Sequence, residues 1–348
     1  MPDLIATPTA PFNPPPFAAA AQALRDNRLP FGGGRAEAVL QPSRGNLIAD
    51  LGASIEARDQ AIRHRFEHSG QSGGVNLPTK DRSRLIDQLF CQLLERAAAR
   101  VGSSRCQLTV LAMGEYGRFS LAPYSIPELA FILPPGRATH SRVVIESLLE
   151  MLWDLGLRAH HRAHTAAEWI ELSRDQQRYR MALLESRPVW GRKDLHRALV
   201  GRFSRSIVAT MRTRLIAEIW SEQTRRYTRF GNARDAVSPH VVEGEGGLLD
   251  LGCLRQLAKL GHGPQEQRSL YHSDALGAAD NFLTAVRCHL HYLCGKAHDR
   301  LDQGLQPEIA IRMGYVTSAR SEAELLMHDY RNATDAVSGM VYGTHRAH

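Results

Sequence analysis

The sequence predicts an α/β domain joined to an all-α domain, and three observations carry that prediction. Two short apolar runs, Leu108 to Met113 and Glu128 to Leu133, flank a glycine-bearing turn at Gly114-Glu-Tyr-Gly117, the pattern of buried strands joined at a tight turn. Segments on either side of them carry apolar residues at helical spacing. Beyond about Asp194 that helical period dominates, broken by a loop from Asn232 to Gly247.

Taken in order, residues 1–44 are rich in Pro, Ala and Gly, with Pro14-Pro-Pro16 and Gly32-Gly-Gly34, and are expected to be disordered or loosely held. Residues 45–105 read as N-terminal helices, Asn46 to about Phe66 and Asp81 to Arg100, separated by a Gly/Ser turn around Ser69 to Gly74. Residues 106–195 hold the two strands, a helix from Ser141 to Leu155, a third strand within Arg158 to Thr165, and a helix from about Ala166 towards Arg187. Residues 196–340 form the helical domain.

Composition excludes several classes. No apolar run approaches the roughly eighteen to twenty residues that span a bilayer, and the first residues lack a basic region followed by an apolar one, so neither membrane insertion nor secretion is indicated. The five cysteines have no CxxC spacing, which suits reduced thiols in a cytoplasmic protein. The net charge is +7, carried almost wholly by arginine. From Arg158 to Arg229 there are 16 Arg plus Lys against 7 Asp plus Glu, which predicts a basic face able to attract an acidic protein, a nucleotide or a nucleic acid. Aromatic residues are not interleaved with these charges as in single-strand binders, so nucleic acid is the least favoured partner.

Function is most legible in Met113-Gly-Glu-Tyr-Gly-Arg118, followed by Pro123-Tyr-Ser-Ile-Pro-Glu-Leu129. This stretch resembles polymerase-β-type nucleotidyltransferases, and within them the bacterial PII uridylyltransferase family, whose signature is close to GGYGRGELHPYSDIDLLIL against GEYGRFSLAPYSIPELAFIL here. The resemblance continues in order through Arg84-Leu-Ile-Asp87, Leu152-Trp-Asp-Leu-Gly-Leu157, Leu183-Leu-Glu-Ser-Arg187, Arg229-Phe-Gly231, Glu243-Gly-Glu-Gly-Gly-Leu-Leu-Asp250 and Arg312-Met-Gly-Tyr315. It covers roughly residues 45 to 335. It implies a polymerase-β-type nucleotidyltransferase fold with N-terminal helices and a C-terminal helical domain, and only the transferase and helical module of that family. By the same resemblance the nucleotide site would draw on Gly114, Glu115, Gly117, Arg118, Ser125, Gly246, Gly247 and Asp250, with Glu128 as the remaining catalytic acid and metal ligand.

The altered positions argue against full activity. Alternate strand residues share a face, so two carboxylates at i and i+2 can hold Mg²⁺ against a nucleotide's phosphates. Here the first of the pair is Ile126, which offers no oxygen. Metal ions supply several kcal/mol of transition-state stabilisation, and about 1.4 kcal/mol is tenfold in rate. Glu115 brings a negative charge to the turn that should approach phosphate. Pro127 removes a backbone donor and suits a strand start or edge. Where relatives carry a third acid the sequence has Gln176, with Asp175 one residue away.

Each residue also has a plainer reading. Gly114 and Gly117 are ordinary turn glycines in most sequences; Glu128 suits a solvated acid at a strand start; Arg118 suits an ion-pair partner as well as a phosphate contact; Asp250 suits a helix or interface anchor. His160-His-Arg-Ala-His164 and the pair His298-Asp299 suggest metal sites, yet neither has a completing ligand set nearby, and His298-Asp299 falls in a stretch expected to be helical. The expectation is a catalytically impaired relative that binds UTP or ATP, or a PII-like or other signalling protein, without Mg²⁺. The alternatives are an active Mg²⁺-dependent transferase passing UMP to a PII-like protein, and a structural interaction module.

Overall fold

The computed structural model describes residues 44–69, 77–102, 106–136, 138–230, 237–261, 274–316 and 321–346. The Pro/Ala/Gly-rich segment before Arg44, and the Gly/Ser turn after Ser69, lie outside them. Among the described residues helices dominate and surround one four-stranded sheet of order β3-β2-β1-β4. Its elements run α1 (Arg44–Ser69), α2 (Pro78–Val101), β1 (Thr109–Met113), the single turn α3 (Gly114–Gly117), β2 (Glu128–Leu133), α4 (Thr139–Asp154), β3 (His160–Thr165), α5 (Ala166–Asp175), α6 (Gln177–Leu184) and β4 (Arg187–Gly191). Then follow α7 (Lys193–Phe203), a π-helical turn (Ser204–Val208), α8 (Ala209–Phe230), α9 (Leu248–Leu260), α10 (Asp274–Cys294), α11 (Gln306–Arg312) and α12 (Glu322–Arg346).

The central strands read as apolar runs because both their faces are covered. Val110, Ala112, Leu129 and Phe131 pack on α1, α2 and α4. Leu111, Met113, Ala130 and Ile132 pack on Trp169, Tyr179, Leu183, Leu199 and Phe203 from α5, α6 and α7. β1 pairs antiparallel with β2 and β4, whereas β3 lies parallel to β2 after the crossover through α4. Helix starts follow local chemistry. Pro78 opens α2 at a position where its missing N–H is not needed. Thr165 and Glu168 form a reciprocal capping box that turns β3 directly into α5.

Two expectations need correction. The helix from Ala166 towards Arg187 is broken at Gln176, whose backbone is extended, and it ends before a fourth strand. That strand, Arg187-Pro-Val-Trp-Gly191, is a sheet edge, where a proline is tolerated. Its last residue, Gly191, has φ +87 and lies so close to Leu108 that a Cβ would meet the Leu108 carbonyl oxygen at 2.0 Å. His298-Asp299 is also not helical: it follows the end of α10 in an irregular stretch.

The second half of the chain has its own core, in which Leu215 and Ile219 of α8, Leu254 and Leu257 of α9, Leu283 and Leu290 of α10 and Tyr330 and Val337 of α12 interlock. Phe66 of α1 reaches across to Ala285, Cys288 and Tyr292 of α10. None of the five cysteines, all described, forms a disulfide. Among the described residues, no helix is long and apolar enough to cross a membrane.

That reach across to α10 is expected to respond to acid. His289 is buried and stacks on Phe66 with ring centroids 4.3 Å apart. Burial, with Arg312 adding to it, lowers its pKa to about 4. A histidine that is harder to protonate folded than unfolded costs stability as pH falls from the unfolded value, about 6.5, through the folded one. We therefore expect a loss of up to about 3 kcal/mol between about pH 6.5 and 4 from this group. Thermal melts across that range should show the loss in the wild type and a flatter profile in His289→Leu.

Candidate functional site

The site begins where β1 ends. Gly114, at φ +54, lets the chain leave Met113 and wind into α3, a left-handed conformation that L side chains rarely adopt. Met113 is paired with Glu128 across the sheet, so the first residue of β2 stands beside the turn. The half-buried Glu128 carboxylate faces Gly114 so closely that a Cβ there would lie 3.6 Å from Glu128 Oε2. No described residue hydrogen-bonds or ion-pairs with that carboxylate.

Ile126, by contrast, precedes the strand and is 39% exposed. Pro127 is buried, and its carbonyl accepts from His160 N–H at 3.0 Å. The ladder starts only at Glu128, so strand geometry does not align position 126 with Glu128; the shared-face expectation for that pair is corrected here. Asp175 is exposed at the end of α5, with Gln176 at the break that follows. Among the described residues no group of three or more His, Cys, Asp or Glu side chains is arranged to hold a metal ion.

The turn is clamped by residues from three of the family-like motifs. Arg187 donates to Asp87 through both terminal nitrogens, each at 2.9 Å. The Tyr116 hydroxyl donates to the same carboxylate at 2.6 Å, and Arg187 also reaches the Tyr116 carbonyl at 3.2 Å. The Arg187 guanidinium lies 3.7 Å from the Phe119 ring centroid. Burial and the Asp87 charge push the Tyr116 phenol well above its usual range, so it remains a donor. Gly117 is packed so tightly that a Cβ would sit 2.0 Å from the Glu185 carbonyl oxygen. Beyond it, Phe119 and Tyr124 both hold positive φ, a conformation that surrounding packing must enforce.

Glu115 does not present a free charge to the turn. It is held by Arg287 of α10, whose Nη1 donates to Glu115 Oε1 at 2.7 Å. Arg287 also donates to Asp299 at 2.7 Å, and His291 bridges Asp299 and the Pro123 carbonyl. Burial opposes ionisation of Asp299, but His291 and Arg287 outweigh it and hold that carboxyl below its usual range. Arg118 pairs with the buried Glu185, while Ser125 closes a backbone turn onto Ala122 at 3.1 Å.

The remaining predicted residues lie in the helical half. A Cβ on Gly246 would meet the Thr334 carbonyl oxygen at 2.3 Å, and one on Gly247 the Val241 carbonyl oxygen at 2.7 Å. Asp250 is 0% exposed and accepts from Arg226, Tyr227, Gln223 and the Gly246 N–H. Its oxygens are spent inside the fold, which is the anchoring role. His298 and Asp299 point to different partners, Asp302 and the Arg287–His291 pair. On β3, His161 lies on the face opposite His160 and His164, and His164 bonds the Tyr179 hydroxyl at 3.1 Å.

Most of the predicted set thus separates into three places: the strand end with Gly114 and Glu128, a cleft reached by Glu115 and Arg118, and the Gly246–Asp250 anchor, while Gly117 packs on Glu185 and Ser125 closes a turn onto Ala122. The cleft is small, with about 20 Å³ of internal space, and is lined by Glu115, Arg118 and Ser120 from the turn and by Leu249, Arg255 and Arg287 from the helical half. Glu128 does not line it. Sequence reasoning missed Arg255 and Arg287, which sit in no local motif.

A family model described as GlnD PII-uridylyltransferase matches residues 214–342. A bifunctional uridylyltransferase/uridylyl-removing enzyme of Novosphingobium aromaticivorans is 36% identical over 286 residues, covering 78% of this chain and 31% of that protein. Its namesake in Phenylobacterium zucineum is 38% identical over 291 residues, again 78% of this chain and 31% of that protein. Over its matched length the chain belongs to the PII-uridylyltransferase family. Another such enzyme, from Rhodospirillum rubrum, is 33% identical over 304 residues, 82% of this chain and 32% of that protein. The chain therefore spans less than a third of the length of these uridylyltransferase relatives.

The anchor should dominate stability. Removing one partner of a buried ion pair typically costs about 3–5 kcal/mol. Asp250→Asn keeps the shape but leaves Arg226, which is 5% exposed at its side chain, without its counter-charge. Urea unfolding should register a loss of about 3 kcal/mol, and a change below about 1 kcal/mol would contradict the anchoring role.

Proposed function

We propose that residues 106–195 form a polymerase-β-type nucleotidyltransferase-like domain, that residues 196–340 are its helical companion, and that together they act as a catalytically impaired regulatory module. On this reading it binds UTP or ATP, or a PII-like signalling protein, with little turnover. The observation that carries the reading is the solitary Glu128 carboxylate beside Gly114, with no carboxylate supplied by Ile126 two residues before it, where a second acid would help hold a catalytic ion. Glu115 supports it in a different way from that expected: its pairing with Arg287 makes it a strut between the two halves, not a source of repulsion.

A second reading draws on the same residue. Glu128 has no described partner and is free to ligate one Mg²⁺, and the relatives named above are uridylyltransferases by name. An active site of that kind would bring Mg²⁺ to Glu128 and a triphosphate to the Gly114 turn.

Calorimetric titration with UTP and ATP separates the two. The impaired module should bind with similar affinity in Mg²⁺ and in chelator, whereas a gain of about tenfold or more with Mg²⁺ would favour the active enzyme. Adding a carboxylate next to Glu128 through Ile126→Asp, on the exposed residue two places before the strand, should create a Mg²⁺-dependent gain of about tenfold, the effect of one added charged contact. No gain would mean that the site differs from an active one at more than this position.

A further inference from the structure

The sheet face that carries Glu128 also carries Arg162, and Arg178 of α6 approaches the same ring, that of Tyr179; neither has an acidic partner among the described residues. Pairing of β2 with β3 sets Glu128 beside His160 and Ala130 beside Arg162, so Glu128, His160 and Arg162 share one face. Arg178, at the start of α6, comes to the same place. Both guanidinium groups approach one ring: Arg162 Cζ lies 5.7 Å and Arg178 Cζ 5.3 Å from the Tyr179 centroid. Tyr179 is itself fixed, with Trp169 edge-on at 5.2 Å and its hydroxyl bonded to His164.

Neither arginine has a carboxylate partner among the described residues; Arg178 Nε donates only to the neutral Gln176 side chain at 2.9 Å. The nearby Glu168 carboxylate is taken up by the Thr165 backbone and hydroxyl. The pair also acts on its surroundings. Burial first, and then Arg162 and Arg178 against the opposing pull of Glu168, keep the His164 imidazole below its usual range. Most of the other functional-site arginines are neutralised, as with Arg118 by Glu185, Arg187 by Asp87 and Arg287 by Glu115 and Asp299. Two guanidinium groups gathered at one ring with no carboxylate partner among the described residues favour an anion that both can reach. Guanidinium forks match phosphate oxygens in geometry and charge.

We propose that Arg162 and Arg178 form a clamp that grips an oligophosphate chain directly, without a metal ion, on the Glu128 face of the sheet. This rests on the nucleotide-binding reading above and deepens it: arginine takes over the charge neutralisation that a metal held by two acids would give. The shared chemistry is the phosphate chain, whether carried by a nucleoside or free.

The test uses the full chain in EDTA, titrated calorimetrically with UTP, ATP and inorganic tripolyphosphate, with tryptophan fluorescence followed in parallel because Trp169 abuts Tyr179. Tripolyphosphate should bind without metal, and Arg162→Gln and Arg178→Gln should each weaken it about tenfold or more. Arg197→Gln, an exposed arginine on α7, should leave it unchanged. Arg178 is exposed, so its variant should melt as the wild type does and carry the test even if Arg162→Gln unfolds. Unchanged affinity in both glutamine variants, or binding seen only with Mg²⁺, overturns the clamp. UTP binding in EDTA that ignores both substitutions would sink the clamp while leaving the nucleotide reading intact. Arginine-dependent tripolyphosphate binding with no response to UTP or ATP would do the reverse.

Discussion

The geometry of this molecule depends on how the turn after β1 is pinned. A single turn of helix between two strands cannot hold itself, because helix formation pays only after several residues have been ordered. Here Asp87, Tyr116 and Arg187, from α2, α3 and β4, close a bidentate clasp around it. Gly117 meanwhile allows the chain to pass against the Glu185 carbonyl with no room for a side chain. Were the clasp to lose one member, partly buried charges would stand unpaired, which costs more than the pair gains over an apolar substitute. The position of Gly114 beside Glu128, and the direction in which Glu115 leaves the turn, both follow from this constraint.

The same turn joins the two halves of the chain. Glu115 meets Arg287, Arg287 meets Asp299, and His291 ties Asp299 to the Pro123 carbonyl of the loop before β2. Further along, Arg180 of α6 grips Glu218 of α8 through two nitrogens. These contacts are directional and largely buried, so they fix orientation more than they add stability. An acid at position 115, which in the sequence reads as hostile to phosphate, becomes intelligible as one end of that connection. It also explains why a cleft forms at the junction, with residues of the turn on one wall and residues of α9 and α10 on the other.

Much of this is legible in the sequence alone. Strands β1 and β2 announce themselves as apolar runs because helices cover both faces, and the helical period of the second half survives as a shared core. What escaped was set by tertiary context. β4 is five residues long, contains a proline and has only half-buried or exposed positions, so it carries neither alternation nor an apolar run. The break at Gln176 has no glycine or proline to mark it. Asp250 sits in a motif that resembles a pocket wall, yet its oxygens are consumed by Arg226 and Tyr227, one helix away. Arg287 belongs to no pattern at all, and only the packing of α10 against the turn gives it Glu115 to hold.

A metal ion and a pair of arginines both neutralise a phosphate chain, but they do not do the same work. A dication held by carboxylates follows charge as it moves on to the leaving oxygens, so its stabilisation grows towards the transition state. Guanidinium groups near an aromatic ring, as Arg162 and Arg178 are near Tyr179, neutralise the anion but do not coordinate or activate an attacking hydroxyl as a held dication does. Interactions equal in ground and transition states strengthen binding without raising the rate of the chemical step. Under the proposed reading, exchanging acids for arginines on one sheet face therefore separates recognition from chemistry. On that same reading the fold would keep a shape that holds a nucleotide, while its catalytic acid would be Glu128 alone, which no other carboxylate joins in a metal-holding group among the described residues.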